Sequence, residues 1–137
     1  MKTILMFILI VGNLLAITAE DAAWLLDAQT DLSKAYEKAK AQKKKLVLLV
    51  VVKDGCHWCE MMVHETLRDP QIQKNLKEMV TVVVDVNGKL PKAFQTKLTP
   101  GIFFIDVKRK KSVLENFGYI KKGGFLIDIV SASEMVE

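Results

Sequence analysis

The stretch Leu46-Val47-Leu48-Leu49-Val50-Val51-Val52-Lys53-Asp54-Gly55-Cys56-His57-Trp58-Cys59 decides the reading of this chain. Seven consecutive aliphatic residues, most of them β-branched, predict a central strand buried on both faces. Asp54-Gly55 breaks that strand. A helix is then expected from His57 to Leu67, so that Cys56 stands at its start, with Asp69-Pro70 ending it.

Working outward, Leu25, Ala28, Leu32, Ala35, Tyr36 and Ala39 recur at helical spacing between Asp21 and Lys45, with Thr30 or Asp31 available to cap a second segment running to about Gln42. A further helix is expected over Ile72 to Glu78, a second buried strand over Val80 to Val86, and a turn at Asn87-Gly88. Pro91 to Leu98 reads as a short helix. Ile102 to Val107 and Ser112 to Phe117 read as a hairpin with a basic turn, and Phe125 to Met135 as a closing amphipathic helix. Helices alternating with the first two buried strands imply parallel pairing. The expected fold class is α/β: a four-stranded mixed sheet with an antiparallel hairpin at one edge and helices on both faces.

Bulk properties bound the function. The chain has 137 residues, half of them hydrophobic and 26% charged, which suits one globular domain. Its formal charge is +4, carried in part by runs such as Lys43 to Lys45 and Lys108 to Lys111. No aromatic residues interleave with these lysines to make a stacking platform, so nucleic acid is not an expected partner. Lys2 followed by the apolar run Ile4 to Ile17 reads as a secretory signal peptide over 1–19, cut after Ala19, ahead of a domain at 20–137. The run is short for a membrane span, so no stable span is expected once the signal is removed; the alternative is an uncleaved N-terminal membrane anchor. Export implies an oxidising compartment, here the periplasm.

The chain has only two cysteines, Cys56 and Cys59. They are too close to staple a fold, which leaves a redox pair or part of a metal site. A helix start offers unpaired N–H groups and a partial positive charge, both of which favour a thiolate at Cys56. Cys59, one turn further in, can reach the same sulfur and resolve a mixed disulfide. A structural zinc site needs four ligands, and with two cysteines and two histidines in the chain, Cys56, Cys59 and His64 would need one more ligand to bind even weakly; a haem attachment needs His where Glu60 stands. No cofactor and no metal are therefore expected beyond a Cys56–Cys59 disulfide. His57 is a candidate for tuning the thiolate or a plain exposed residue, and Trp58 a flat contact surface or a shield for the sulfurs. Met61, Met62, Val63 and Leu67 are expected in the core. Thr99-Pro100 opens a strand, with Pro100 either an ordinary strand-start proline or a cis residue.

From about Trp24 to Met135 the chain resembles the thioredoxin superfamily, in element order and in three motifs: Leu46 to Val52 with Cys56-His57-Trp58-Cys59, Thr99-Pro100-Gly101-Ile102-Phe103-Phe104, and Phe117-Gly118-Tyr119 with Lys122-Gly123-Gly124-Phe125-Leu126. Cys56 to Met61, with Glu65-Thr66-Leu67 and Asp69-Pro70, is similar to the exported bacterial thioredoxin-like proteins of the SoxW type. The resemblance implies a thioredoxin fold and a thiol–disulfide oxidoreductase serving cell redox homeostasis. It implies Cys56 as nucleophile, Cys59 as resolving thiol, and Pro100 cis beside them, with the Thr99 backbone pairing to substrate. Partners would be protein thiols and disulfides and an upstream membrane or periplasmic electron donor. The sequence departs from thioredoxin in carrying His57-Trp58 between the cysteines, Gly55 before the first, and Val50 where a buried acid is usual. Asp54, Glu60 or water would then take the second thiol's proton. The expected activity is reductase- or isomerase-like rather than bulk oxidation. A redox-silent binding module and a metal or thiol carrier are the competing functions.

Overall fold

The computed structural model describes residues 17–136. The part of the expected signal peptide up to residue 16 lies outside them. The elements follow in the order α1 (Ala19–Leu26), α2 (Leu32–Ala41), β1 (Leu46–Val52), α3 (His57–Met61), a π-helical segment (Met62–Leu67), α4 (Pro70–Leu76), β2 (Val80–Asp85), a 3₁₀ turn (Lys92–Phe94), β3 (Gly101–Asp106), β4 (Lys111–Phe117) and α5 (Lys122–Glu134).

The sheet runs β2-β1-β3-β4, with β1 parallel to β2 and antiparallel to β3, and β3 antiparallel to β4. All seven residues of β1 are buried, as an unbroken aliphatic run requires. Alternation sends its even positions to one layer and its odd positions to the other. Leu46, Leu48, Val50 and Val52 join Ile102, Phe104 and Phe125 in a cluster with α1, the π-helical segment, α4 and α5. Val47, Leu49 and Val51 join Phe94, Phe103 and Ile105 beneath α2. Phe103 and Phe104 thus face opposite sides, as their adjacency demands. Outside β2, Gln29 adds a short bridge, accepting from Val83 N–H at 2.9 Å and donating to Thr81 C=O at 2.8 Å.

Asp31 caps α2 by accepting from Lys34 N–H at 2.9 Å. One expected element is corrected. Pro91 to Leu98 is not a helix beyond the single turn Lys92–Phe94. Gln95 donates its side-chain amide to Leu90 C=O, and the Thr96 hydroxyl bonds both N–H and C=O of Leu98. Such side-chain bonds compete with the helical pattern, and Pro100 disfavours helix at Thr99. The break within Met62–Leu67, where Arg68 N–H reaches Val63 C=O five residues back at 3.0 Å, was also unforeseen.

Candidate active site

β1 delivers the chain to the site. Cys56 N–H bonds Lys53 C=O at 3.2 Å, closing a turn in which Gly55 takes φ +73°, a conformation glycine adopts at no steric cost. Cys56 is the N-cap of α3, in extended conformation, and its sulfur accepts from Cys59 N–H at 3.1 Å. Cys56 and Cys59 form a disulfide, their Cα atoms 5.2 Å apart. Cys59 is fully buried in the core cluster, whereas Cys56 is half-buried at its edge. Cys56 is therefore the member of the pair nearer the surface, with Cys59 enclosed behind it.

The Thr99–Pro100 peptide is cis and lies against the pair. Thr99 Oγ1 donates toward Cys56 Sγ at 3.4 Å, and Thr99 C=O stands 3.7 Å from the same sulfur. The loop is held from both sides. Gly118 N–H donates to Pro100 C=O at 2.8 Å. A Cβ on Gly101 would come within 2.9 Å of Thr96 Cγ2 and 3.1 Å of the Phe103 ring, so glycine is needed for that close approach.

Trp58 is 55% exposed beside the disulfide. It stacks on Tyr119 at 6.0 Å between centroids with the planes 19° apart, and the His57 ring meets its edge at 5.2 Å. His57 is exposed and faces Trp58; among the described residues no hydrogen bond joins it to Cys56. Leu98, which precedes Thr99 in the proline loop, is 64% exposed. Tyr119 and Leu98 were not singled out as site residues, because each is brought in by tertiary packing and carries no local signal. Met62, Val63 and Leu67 are fully buried, as expected for core residues, whereas Met61, expected with them, is half-buried and lies outside the core clusters because it falls on the solvent side of the helical turn.

Val50 is fully buried, so the sheet beneath Cys59 offers no carboxylate at that position. Of the two acids considered for that role, Asp54 is exposed, and Glu60 is half-buried and accepts from Ile17 N–H at 3.4 Å. His64 is exposed, with its Nδ1 3.5 Å from Arg68 Nη1. Among the described residues no cluster of three or more His, Cys, Asp or Glu is placed to hold a metal, and no helix is long and apolar enough to cross a membrane. A groove of about 880 Å³ runs along α2 past Tyr36 and Lys110, away from the cysteines.

Comparison with known proteins agrees with this architecture. The family model Thioredox_DsbH, described as a protein of unknown function (DUF255), matches residues 16–96. Among solved structures, a thioredoxin from Thermus thermophilus superposes with a TM-score of 0.67 at 20% identity, covering 77% of this chain and 86% of its own. A DsbH oxidoreductase gives 0.61 at 20%, covering 78% and 85%. The oxidised C-terminal domain of Neisseria meningitidis DsbD gives 0.64 at 19%, covering 77% and 98%. The fold is the thioredoxin fold expected from the sequence. No curated protein matches the chain.

Proposed function

Because the chain belongs to the thioredoxin-like DsbH family, we propose that it is an exported thiol–disulfide oxidoreductase acting on protein disulfides, with Cys56 as nucleophile and Cys59 as resolving thiol. The observation that carries this reading is the asymmetry of the pair: a half-buried Cys56 whose sulfur caps a helix start and accepts from Cys59 N–H, and a fully buried Cys59 behind it.

In the reduced protein the helix-start N–H groups favour the Cys56 thiolate. That thiolate attacks one sulfur of a substrate disulfide, forms a mixed disulfide and releases the other substrate sulfur as a thiolate. The Cys59 thiolate then attacks Cys56 Sγ, closing the Cys56–Cys59 bond and releasing the second substrate thiolate. Two electrons pass to the substrate and the protein leaves oxidised. The Thr99 backbone, exposed to the same sulfur, pairs with the substrate chain, while Trp58 stacked on Tyr119 and Leu98 give it an apolar surface.

Electron flow in the reductive or isomerising direction is favoured by how little holds the reduced state. Strong oxidants of this chemistry have a stabilised dithiol form. Here Cys56 has one backbone N–H and one hydroxyl, His57 faces Trp58, and Val50 gives Cys59 no acid. A renewing electron donor is required, and Lys2 with the apolar run from Ile4 supports export to a compartment where such donors act. The narrower likeness to the SoxW type is part of the same proposal and is carried by Cys56 to Met61 with Asp69-Pro70.

The test is reduction of insulin disulfides by the wild-type domain beside Cys56→Ser. Activity should be lost in the variant, and the reduction potential should lie nearer about −270 mV than about −120 mV. Equal activity in both proteins ends the proposal, and a potential well below about −300 mV would mark the bond as structural.

A further inference from the structure

Two positions near the end of the apolar N-terminal run satisfy a processing protease equally well. Leu14-Leu15-Ala16 and Ile17-Thr18-Ala19 each end in alanine and each have a large aliphatic residue two positions before it. Sequence does not rank them, but the fold does.

Ile17 is only 6% exposed and belongs to the core cluster that contains Cys59. Thr18 is the N-cap of α1 in a reciprocal capping box: its hydroxyl accepts from Asp21 N–H at 3.1 Å, and its own N–H donates to the Asp21 carboxylate at 3.3 Å. Thr18 C=O also accepts from Ala22 N–H at 3.0 Å. A cut after Ala19 removes all of this. It also places a new ammonium at Glu20, inside the first turn of α1, where the helix end is already positive.

A cut after Ala16 keeps every one of these contacts. It also acts on the bond next to Ile17 N, which lies 3.4 Å from Glu60 Oε1, one residue beyond Cys59.

We propose that the export protease cuts after Ala16, and that the ammonium this creates on Ile17 pairs with the Glu60 carboxylate beside the redox helix. Water adds across the Ala16–Ile17 peptide bond. The leader departs with a carboxylate on Ala16, and the mature protein gains a protonated amine at the point where an amide stood. Processing thereby converts an amide-to-carboxylate hydrogen bond next to the CxxC helix into an ion pair between ammonium and carboxylate. The inference rests on the export reading given above.

The experiment is the intact mass of the full chain after expression in a bacterium with a secretory apparatus. A mature protein beginning at Ile17 is expected. One beginning at Glu20 overturns the inference while leaving export standing. A chain still beginning at Met1 overturns both. As a second measurement, proteins released from a fusion to begin at Ile17 or at Glu20 are compared, each with and without Glu60→Gln. The form starting at Ile17 should melt on the order of 10 °C higher. Glu60→Gln should lower the Tm of that form and leave the form starting at Glu20 unchanged. Equal melting of the two starts, or equal response to Glu60→Gln, overturns the pairing.

Discussion

The two ends of the helical stretch from His57 to Leu67 are built differently. At the first turn, His57 and Trp58 are exposed and Cys56 is half-buried, held by a few contacts to its sulfur. At the far end Met62, Val63, Thr66 and Leu67 are all fully buried. There the Thr66 hydroxyl donates to Ile120 C=O at 2.6 Å and Gln73 donates to Leu67 C=O at 2.6 Å. Asp69 caps α4 and pairs with Lys122 Nζ at 3.0 Å. The π-helical segment Met62–Leu67 is itself this far end, and α3 carries the first turn. A half-buried cysteine is thus positioned by a dry anchor about ten residues away, which lets the tip vary while the platform stays fixed.

That contrast gives a ranked set of expectations. Leu67→Ala, in the anchor, should cost about 2–5 kcal/mol of stability, read as a lower urea midpoint, with specific activity of the folded fraction preserved. Thr66→Val leaves the Ile120 carbonyl without its partner and should cost about 1–3 kcal/mol. Thr66→Ser should restore most of it, and a silent Thr66→Val would show that the anchor does not depend on this bond. Because Tyr119 precedes Ile120, the same variant should raise the KM for protein substrates.

Asp69→Asn is expected to be smaller still, since asparagine caps as well as aspartate and only the charge is lost. The Lys122 ammonium bonded to Asp69, with the N–H groups of Ile72 and Gln71, holds its carboxyl below the usual range. Its contribution is therefore full above about pH 4–5 and is lost as the pH falls through the lowered value. The wild-type advantage over Asp69→Asn should vanish in acid and shrink in salt. Trp58→Ala, at the tip, should move stability by no more than about 0.5 kcal/mol yet raise the KM for insulin several-fold. A large loss of stability there would erase the distinction between tip and anchor.

Much of this was legible in the chain because it is local. The run Leu46 to Val52 is a strand with those bounds, since it is short, rich in β-branched valine and closed by Asp54-Gly55, which suits a strand buried on both faces. Asp54-Gly55 places Cys56 at a helix start, and Asp69-Pro70 ends one helix and caps the next. What sequence could not give is what tertiary contact decides. The stacking of Trp58 on Tyr119 joins residues far apart in the chain, and the Thr66 to Ile120 bond joins two others. The change from α to π pairing is a one-residue shift in hydrogen bonding with no compositional mark. The misread helix over Pro91 to Leu98 failed because Gln95 and Thr96 turn their side chains onto the backbone.

The short bridge from Gln29 has a consequence for the isolated domain at high concentration. It occupies backbone groups on the outer margin of β2, so that side of the sheet does not offer a free template for a further strand. The opposite margin is β4, where Lys111 and Glu115 are exposed and the register slips between Phe104 and Ile105 of its neighbour. Both margins of the sheet are thus blunted against a further strand, one by the Gln29 bridge and the other by charge and irregularity.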